Sequence, residues 1–77
     1  MPKLPRVSGG ECIRALERLG FRHVRQRGSH VVMRKETPEG SVGCVVPQHD
    51  LVDPGTLRAI LRQAKVSVEE FLGHLRP

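Results

Sequence analysis

A Gly-Ser pair at positions 28 and 29 separates two short segments that contain β-branched residues, 22–27 and 30–35. Two central residues of this kind are typical of a tight hairpin turn, and such a turn joins only antiparallel neighbours. A second turn, 37–40, precedes a third apolar segment, 42–46, which should end at Pro47 because proline lacks the amide needed for ladder pairing. The sequence therefore predicts three antiparallel strands.

Helix signals lie on both sides of the predicted strands. Ser8 and Glu11 have the spacing of a capping box, and Gly20 can take the left-handed conformation that ends a helix. Asp53 followed by Pro54 marks a second helix start, and a second capping box follows it. The predicted N-caps are Ser8, Asp53 and Ser67, and the first and last helices should end near Leu19 and Leu75.

The predicted fold is an α+β layer structure, a three-stranded antiparallel sheet with helices on one face and the order α-β-β-β-α-α. This arrangement resembles the double-stranded RNA-binding domain fold. The 77 residues should form one domain, because so few apolar side chains cannot build a second core. Within residues 1–77, we expect residues 1–6 to be a flexible leader. A deep reaction chamber is not expected, so an open surface acting on a polymer is favoured.

Basic residues are concentrated in the first half of the chain. The sequence has 13 Lys and Arg against eight Asp and Glu, for a net charge of +5. Residues 1–35 hold nine basic and two acidic residues and carry +7, whereas the remainder carries −2. Such a field attracts polyanions, of which nucleic acid is the commonest. A docking face for an acidic protein and a role in solubility are the alternatives.

Other features narrow the class of protein. Cys12 and Cys44 have neither the density of a disulfide scaffold nor zinc-site spacing, so we expect them to be small core side chains. The first residues lack the apolar stretch of a signal peptide and no segment could span a bilayer, which predicts a cytoplasmic location without membrane contact. Phe21 and Phe71 are the only aromatic residues and should lie in the core, so base stacking is not expected.

His30 is the strongest candidate for chemistry, because it follows the turn directly in a part of the chain without acidic residues. An imidazole can move a proton near neutral pH, while guanidinium groups stabilise charge on a phosphate under attack. A ribose 2′-hydroxyl can supply the nucleophile, so RNA cleavage needs neither metal nor cofactor in principle. The alternative is that His30 simply begins a strand. Candidate RNA contacts are Arg25, Arg27, Ser29 and Lys35.

Two other groups are weaker candidates. His49 follows the third strand, where it could share acid and base roles with His30, or could only hydrogen-bond locally. A metal site formed by His49, Asp50 and Asp53 fits no usual ligand spacing, and none is expected. The basic residues on the second helix could follow a phosphate backbone, but a solvated helix face explains them better. They are Arg58, Arg62 and Lys65.

Five motifs occur in the order typical of the HicA family of messenger RNA interferase toxins, which the chain resembles over nearly its whole length. They are Ser8-Gly9-Gly10-Glu11, Leu19-Gly20-Phe21, Arg25-Gln26-Arg27-Gly28-Ser29-His30, Val46-Pro47-Gln48-His49 and Pro54-Gly55-Thr56-Leu57. The resemblance implies an endoribonuclease acting on messenger RNA, with His30 as the catalytic residue and a HicB-type protein as the antitoxin. The alternatives are a non-catalytic double-stranded RNA-binding module and an adaptor that docks an acidic protein.

Overall fold

A computed structural model of the chain describes residues 3–75 and confirms the predicted α+β fold and its element order. Met1 and Pro2, the start of the predicted leader, lie outside the described residues, so the flexibility of that leader stays a prediction. The elements are α1 (Gly9–Arg18), β1 (Arg22–Arg27), β2 (His30–Thr37), β3 (Gly40–Pro47), α2 (Pro54–Ala64) and α3 (Val68–Leu75).

The three strands form one antiparallel sheet in the order β1-β2-β3. Gly28 has a φ of +55°, so the hairpin turn has a positive φ at the first of its two central residues, as a type II′ turn requires. β2 and β3 are longer than predicted, because their pairing continues without a break from His30 and Pro47 to Thr37 and Gly40. Cross-strand pairing, which no local sequence signal encodes, extends the strands to the second turn.

The predicted helix caps are confirmed. The amide of Glu11 donates to the Ser8 hydroxyl over 3.0 Å, and the amide of Ser8 donates to the Glu11 carboxylate over 2.9 Å. The Asp53 carboxylate accepts from two amides in the first turn of α2, and the Ser67 hydroxyl accepts from the Glu70 amide. Gly20 ends the α1 segment with a φ of +103°. These short-range bonds fix where each helix begins.

The core lies between the sheet and the three helices, all on one face. Val31 and Met33 of β2 are buried, whereas His30 and Arg34 are exposed, so alternate residues of the strand point to opposite faces. Cys12 and Cys44 are buried, as expected. The rest of the core comes from β3, the three helices and the adjoining segments, and includes Ala15, Leu16, Phe21, Val46, Leu57, Ile60, Leu61, Ala64 and Phe71.

One long-range contact was not predicted. Val7 pairs with Val52 in an isolated bridge, in which the Val52 amide donates to the Val7 carbonyl over 2.8 Å. Leu4 is also partly buried against the core. Residues before α1 are thus attached to the segment that leads into α2. Across residues 3–75, no helix has the length and apolar character needed to cross a membrane.

Candidate functional site

His30 is the first residue of β2 and lies in the central strand, at the end of the sheet. Its Cα partners are Arg27 on β1 and Pro47 on β3. The side chain is exposed, and the alternation along β2 directs it away from the helices. The two-residue turn therefore places this imidazole on a solvent-facing surface beside a guanidinium group.

The sheet surface opposite the helices, here named the open face, is strongly basic. Directly paired residues share a face of an antiparallel sheet, so each β1 residue that has a β2 partner can be assigned to a face from that partner. Arg22 pairs with Arg34, Arg25 with Val32 and Arg27 with His30. The open face thus brings together Arg22, Arg25, Arg27, His30, Val32, Arg34 and the β3 residue Val45.

Two glutamines attach the hairpin turn to the segment after β3. The Gln26 amide nitrogen donates to the Gly28 carbonyl over 2.9 Å and to the Gln48 side-chain oxygen over 2.8 Å. The Gln48 backbone amide donates to the Ser29 carbonyl over 2.7 Å. Ser29 itself is exposed in the turn, next to His30. These bonds fix the position of the turn that carries the imidazole.

His49 lies at the same end of the sheet as His30, because it follows Pro47, the Cα partner of His30, by two residues. Its side chain is exposed, and its carbonyl accepts from the Gly9 amide over 2.8 Å. A Cβ on Gly9 would lie 2.1 Å from the Pro47 carbonyl oxygen, so only glycine fits there. Close contact with the start of α1 therefore holds the His49 segment in place.

Lys35 is not brought together with His30. It lies five residues along β2, or about 17 Å away at 3.3 Å per residue, and alternation puts it on the face that the helices cover. Its ammonium group lies 5.8 Å from the centre of the Phe21 ring, and its stem passes beside Gly20. The alternation of β2 explains this separation, since odd and even positions point to opposite faces.

The cysteines do not form part of the site. Burial raises the pKa of the Cys12 thiol to about 12, with a smaller contribution from Cys44, and burial raises that of Cys44 to about 11. Neutral buried thiols of this kind are poor nucleophiles.

In the part of the chain that the structure describes, no group of three or more His, Cys, Asp or Glu side chains could hold a metal ion. Arg58 and Arg62 are exposed on α2, and Lys65 is exposed at the C-cap of that helix.

Sequence reasoning missed several residues that shape the site. Gln26, Gln48 and Gly9 lie inside the motifs that carried the family resemblance, yet their long-range contacts have no local signal. Arg22 and Arg34 fall within the predicted strands, but no local signal marks them as residues of the site. The available signal was the position of the apolar residues: positions 31 and 33 are apolar, so the even positions, including those of His30 and Arg34, should share the opposite face of the strand.

Together, these features define a small α+β domain with a basic, helix-free sheet face and an exposed histidine at its end. Residues 9–66, which include both histidines of the site, match the family described as the HicA toxin of bacterial toxin-antitoxin systems. The chain therefore belongs to the HicA toxin family. Membership confirms the resemblance found in the motifs and implies an antitoxin as partner. No curated protein matches the chain in sequence.

Proposed function

We propose that this chain is a metal-independent endoribonuclease that cleaves messenger RNA, with His30 as its catalytic residue. The observation that carries the proposal is the exposed position of His30 beside its cross-strand partner Arg27, in a chain of a toxin family. An exposed imidazole at the end of an open sheet is accessible to a polymer. A histidine packed beneath the sheet would not have been.

The proposed reaction is an attack by the ribose on its own phosphate. A base removes the 2′-hydroxyl proton, the 2′-oxygen bonds to phosphorus, and the bond from phosphorus to the 5′-oxygen breaks. A proton donor then neutralises the departing 5′-oxygen. The products are a 2′,3′-cyclic phosphate and a 5′-hydroxyl, so all atoms balance without a bound metal or water.

Each residue of the site has a role in this scheme. His30 acts as the base or the acid, and His49, at the same end of the sheet, is the candidate for the other role. Arg27 and Arg25 contact the phosphates and stabilise the charge that develops on the phosphorus oxygens. Ser29, exposed in the turn, contacts the RNA next to the cut. Lys35 is left out of this set, because it lies on the other face.

The proposed inhibitor is a HicB-type antitoxin that covers His30 and the basic residues around it. An exposed site is most simply blocked by covering it, and an antitoxin with acidic side chains would associate quickly with an arginine-rich face. Both partners and the messenger RNA would meet in the cytoplasm, the location proposed for this chain.

The test compares purified wild type with His30→Ala on a single-stranded RNA in the presence of a chelator. We expect wild type to produce 2′,3′-cyclic phosphate ends and His30→Ala to lose cleavage by at least about 10²-fold. His23→Ala, which removes an exposed histidine from the helix side of β1, is the matched control and should cleave normally. A 2′-deoxy sugar at the cut should block cleavage there. Absence of cleavage by wild type would favour a non-catalytic RNA-binding module instead.

A further inference from the structure

Val24 lies at the register irregularity between His23 and Arg25 and has no β2 partner, but every β1 residue that pairs with an open-face residue of β2 is an arginine. These positions pair with successive open-face residues of β2, so the arginines form a row along one edge of the sheet: Arg27 beside His30, Arg25 beside Val32 and Arg22 beside Arg34. All three β1 arginines and Arg34 are exposed. The row begins at the candidate catalytic residue and leads away from it.

The spacing of this row suits a polynucleotide backbone. Open-face residues of β2 are two apart, so successive pairs lie about 6.6 Å apart, which is comparable with the phosphate repeat of an extended strand. The row also has a defined end. Glu36 is the next open-face residue of β2 after Arg34, and its partner on β3 is Ser41. A negative charge there disfavours a phosphate, so the basic track is about three phosphates long.

We propose that single-stranded RNA binds across the open face, with the scissile phosphate at His30 and Arg27. The next phosphate contacts Arg25, and the one beyond it lies between Arg22 and Arg34. This inference rests on the proposed function, and adds to it two binding residues, the route of the strand and the form of the RNA.

One chemical argument and one structural observation favour single-stranded RNA over a duplex. Attack by the 2′-oxygen requires it to lie in line with the departing 5′-oxygen, and the regular A-form duplex holds it out of line. The open face also offers a surface on which unpaired bases can rest, since Val32 pairs with Val45, which is 42% exposed. Phe21 and Phe71 are both buried, so the bases cannot stack on an aromatic ring. They would instead contact the valines, and such apolar contacts accept any of the four bases.

The experiment measures binding of wild type and variants to a 12-nucleotide 2′-O-methyl oligouridylate, whose blocked 2′-oxygens prevent cleavage. The double variant Arg22→Gln/Arg34→Gln should lose one phosphate contact, which lowers the salt dependence of log affinity by about 0.7 and weakens binding about fivefold at 0.1 M salt. Each single variant should show a smaller part of the same change, because the other arginine still contacts that phosphate. Arg58→Gln and Arg62→Gln, which remove the same charge from the exposed face of α2, are the matched controls and should bind almost as wild type does.

Equal losses from both pairs of variants, or a loss confined to the α2 pair, would overturn the proposal. So would tighter binding of a duplex of the same length. Full RNA affinity in the Arg22→Gln and Arg34→Gln variants would also overturn it. These readouts do not depend on cleavage, so a wild type that fails to cleave RNA would refute the proposed function separately.

Discussion

The side chains of Gln26 and Gln48 meet over 2.8 Å, although 22 residues separate them in sequence. Gln26 is on β1, close to the Gly28-Ser29 turn, and Gln48 follows β3, whose last residue pairs with His30. The contact therefore joins the two segments that flank the candidate catalytic histidine. It is exposed, so its main effect should be on the position of the turn and less on overall stability.

Gln48→Ala should consequently lower cleavage more than it lowers stability. Loss of one exposed hydrogen bond should cost at most about 1 kcal/mol in the free energy of unfolding. A small displacement of a catalytic group can be far more costly, and we expect roughly a tenfold decrease in kcat. Denaturant unfolding and cleavage kinetics measure the two effects. Gln63→Ala, which changes an exposed glutamine of α2, is the control, and equal kinetics for both variants would contradict the positioning role.

Gly9 and Gly10 are adjacent in the first turn of α1 but should respond oppositely to alanine. A Cβ on Gly9 would lie 2.1 Å from the Pro47 oxygen, whereas one on Gly10 would come no closer than 3.5 Å to the Arg14 guanidinium. Gly9→Ala should therefore cost about 1–3 kcal/mol through overpacking. Gly10→Ala should be neutral or stabilising by up to about 1 kcal/mol.

Denaturant midpoints of the two glycine variants measure this difference. Gly9→Ala must move α1 away from the segment containing Pro47 and His49, so its cleavage rate should fall as well, at temperatures where it is still folded. A Gly9→Ala protein as stable and active as wild type would show that α1 does not pack tightly against the segment containing Pro47 and His49.

Lys35 should contribute to stability and not to RNA cleavage. Its ammonium group is 5.8 Å from the Phe21 ring centre, on the face that the helices cover. Lys35→Gln should lose a cation–π contact of about 0.5–1 kcal/mol while cleavage stays close to wild type. Arg27→Gln removes one charge beside His30 and should reduce kcat by roughly tenfold or more. The opposite ranking would mean that the RNA contacts Lys35 on the helix-covered face.

The contrast between Lys35 and Arg34 shows what sequence could establish about the site. Signals confined to a few residues, such as the capping box of Ser8 and the Gly28-Ser29 turn, predicted the helix starts and put His30 at a strand end. The face on which a strand residue lies depends on which neighbours are buried, and that is a tertiary property. The sequence therefore groups Lys35 with the candidate catalytic residue His30, from which the structure separates it.

The buried cysteines predict a loss of stability at alkaline pH. Cys12 and Cys44 have pKa values near 12 and 11 in the folded chain, raised by burial from an ordinary value of 9.0. Above pH 9 the unfolded chain releases the thiol protons while the folded chain keeps them, so ionisation favours unfolding. The stabilising effect is complete below pH 9 and is lost progressively as the pH rises toward 11 to 12.

Each thiol should lower the free energy of unfolding by about 1.4 kcal/mol per pH unit within this window. Urea unfolding at pH 8.5, 9.5 and 10.5 measures the slope. Cys44→Ala removes one of the two groups, so its pH dependence should be clearly shallower even though the variant starts from a lower stability. Parallel curves for the two proteins would show that the thiols do not govern the alkaline transition.

His49 provides the final prediction, because a role as proton donor can be tested apart from its place in the fold. A general acid matters only when the leaving group needs a proton, and it then contributes about 10²- to 10⁴-fold. His49→Ala should lose that factor on ordinary RNA. If His49 is the acid, the variant should approach the wild-type rate on RNA whose 5′-oxygen at the cut is replaced by sulfur, which departs readily without a proton.

This substrate distinguishes the acid from the base. His30→Ala should stay inactive on the sulfur-containing RNA if His30 is the base, and should recover if His30 is the acid, with His49→Ala then showing the opposite behaviour. His74→Ala, which changes a histidine on α3, should match wild type on both substrates. If neither His30→Ala nor His49→Ala recovers, the proton must come from solvent or another group, and the pairing of these two histidines in catalysis would be wrong.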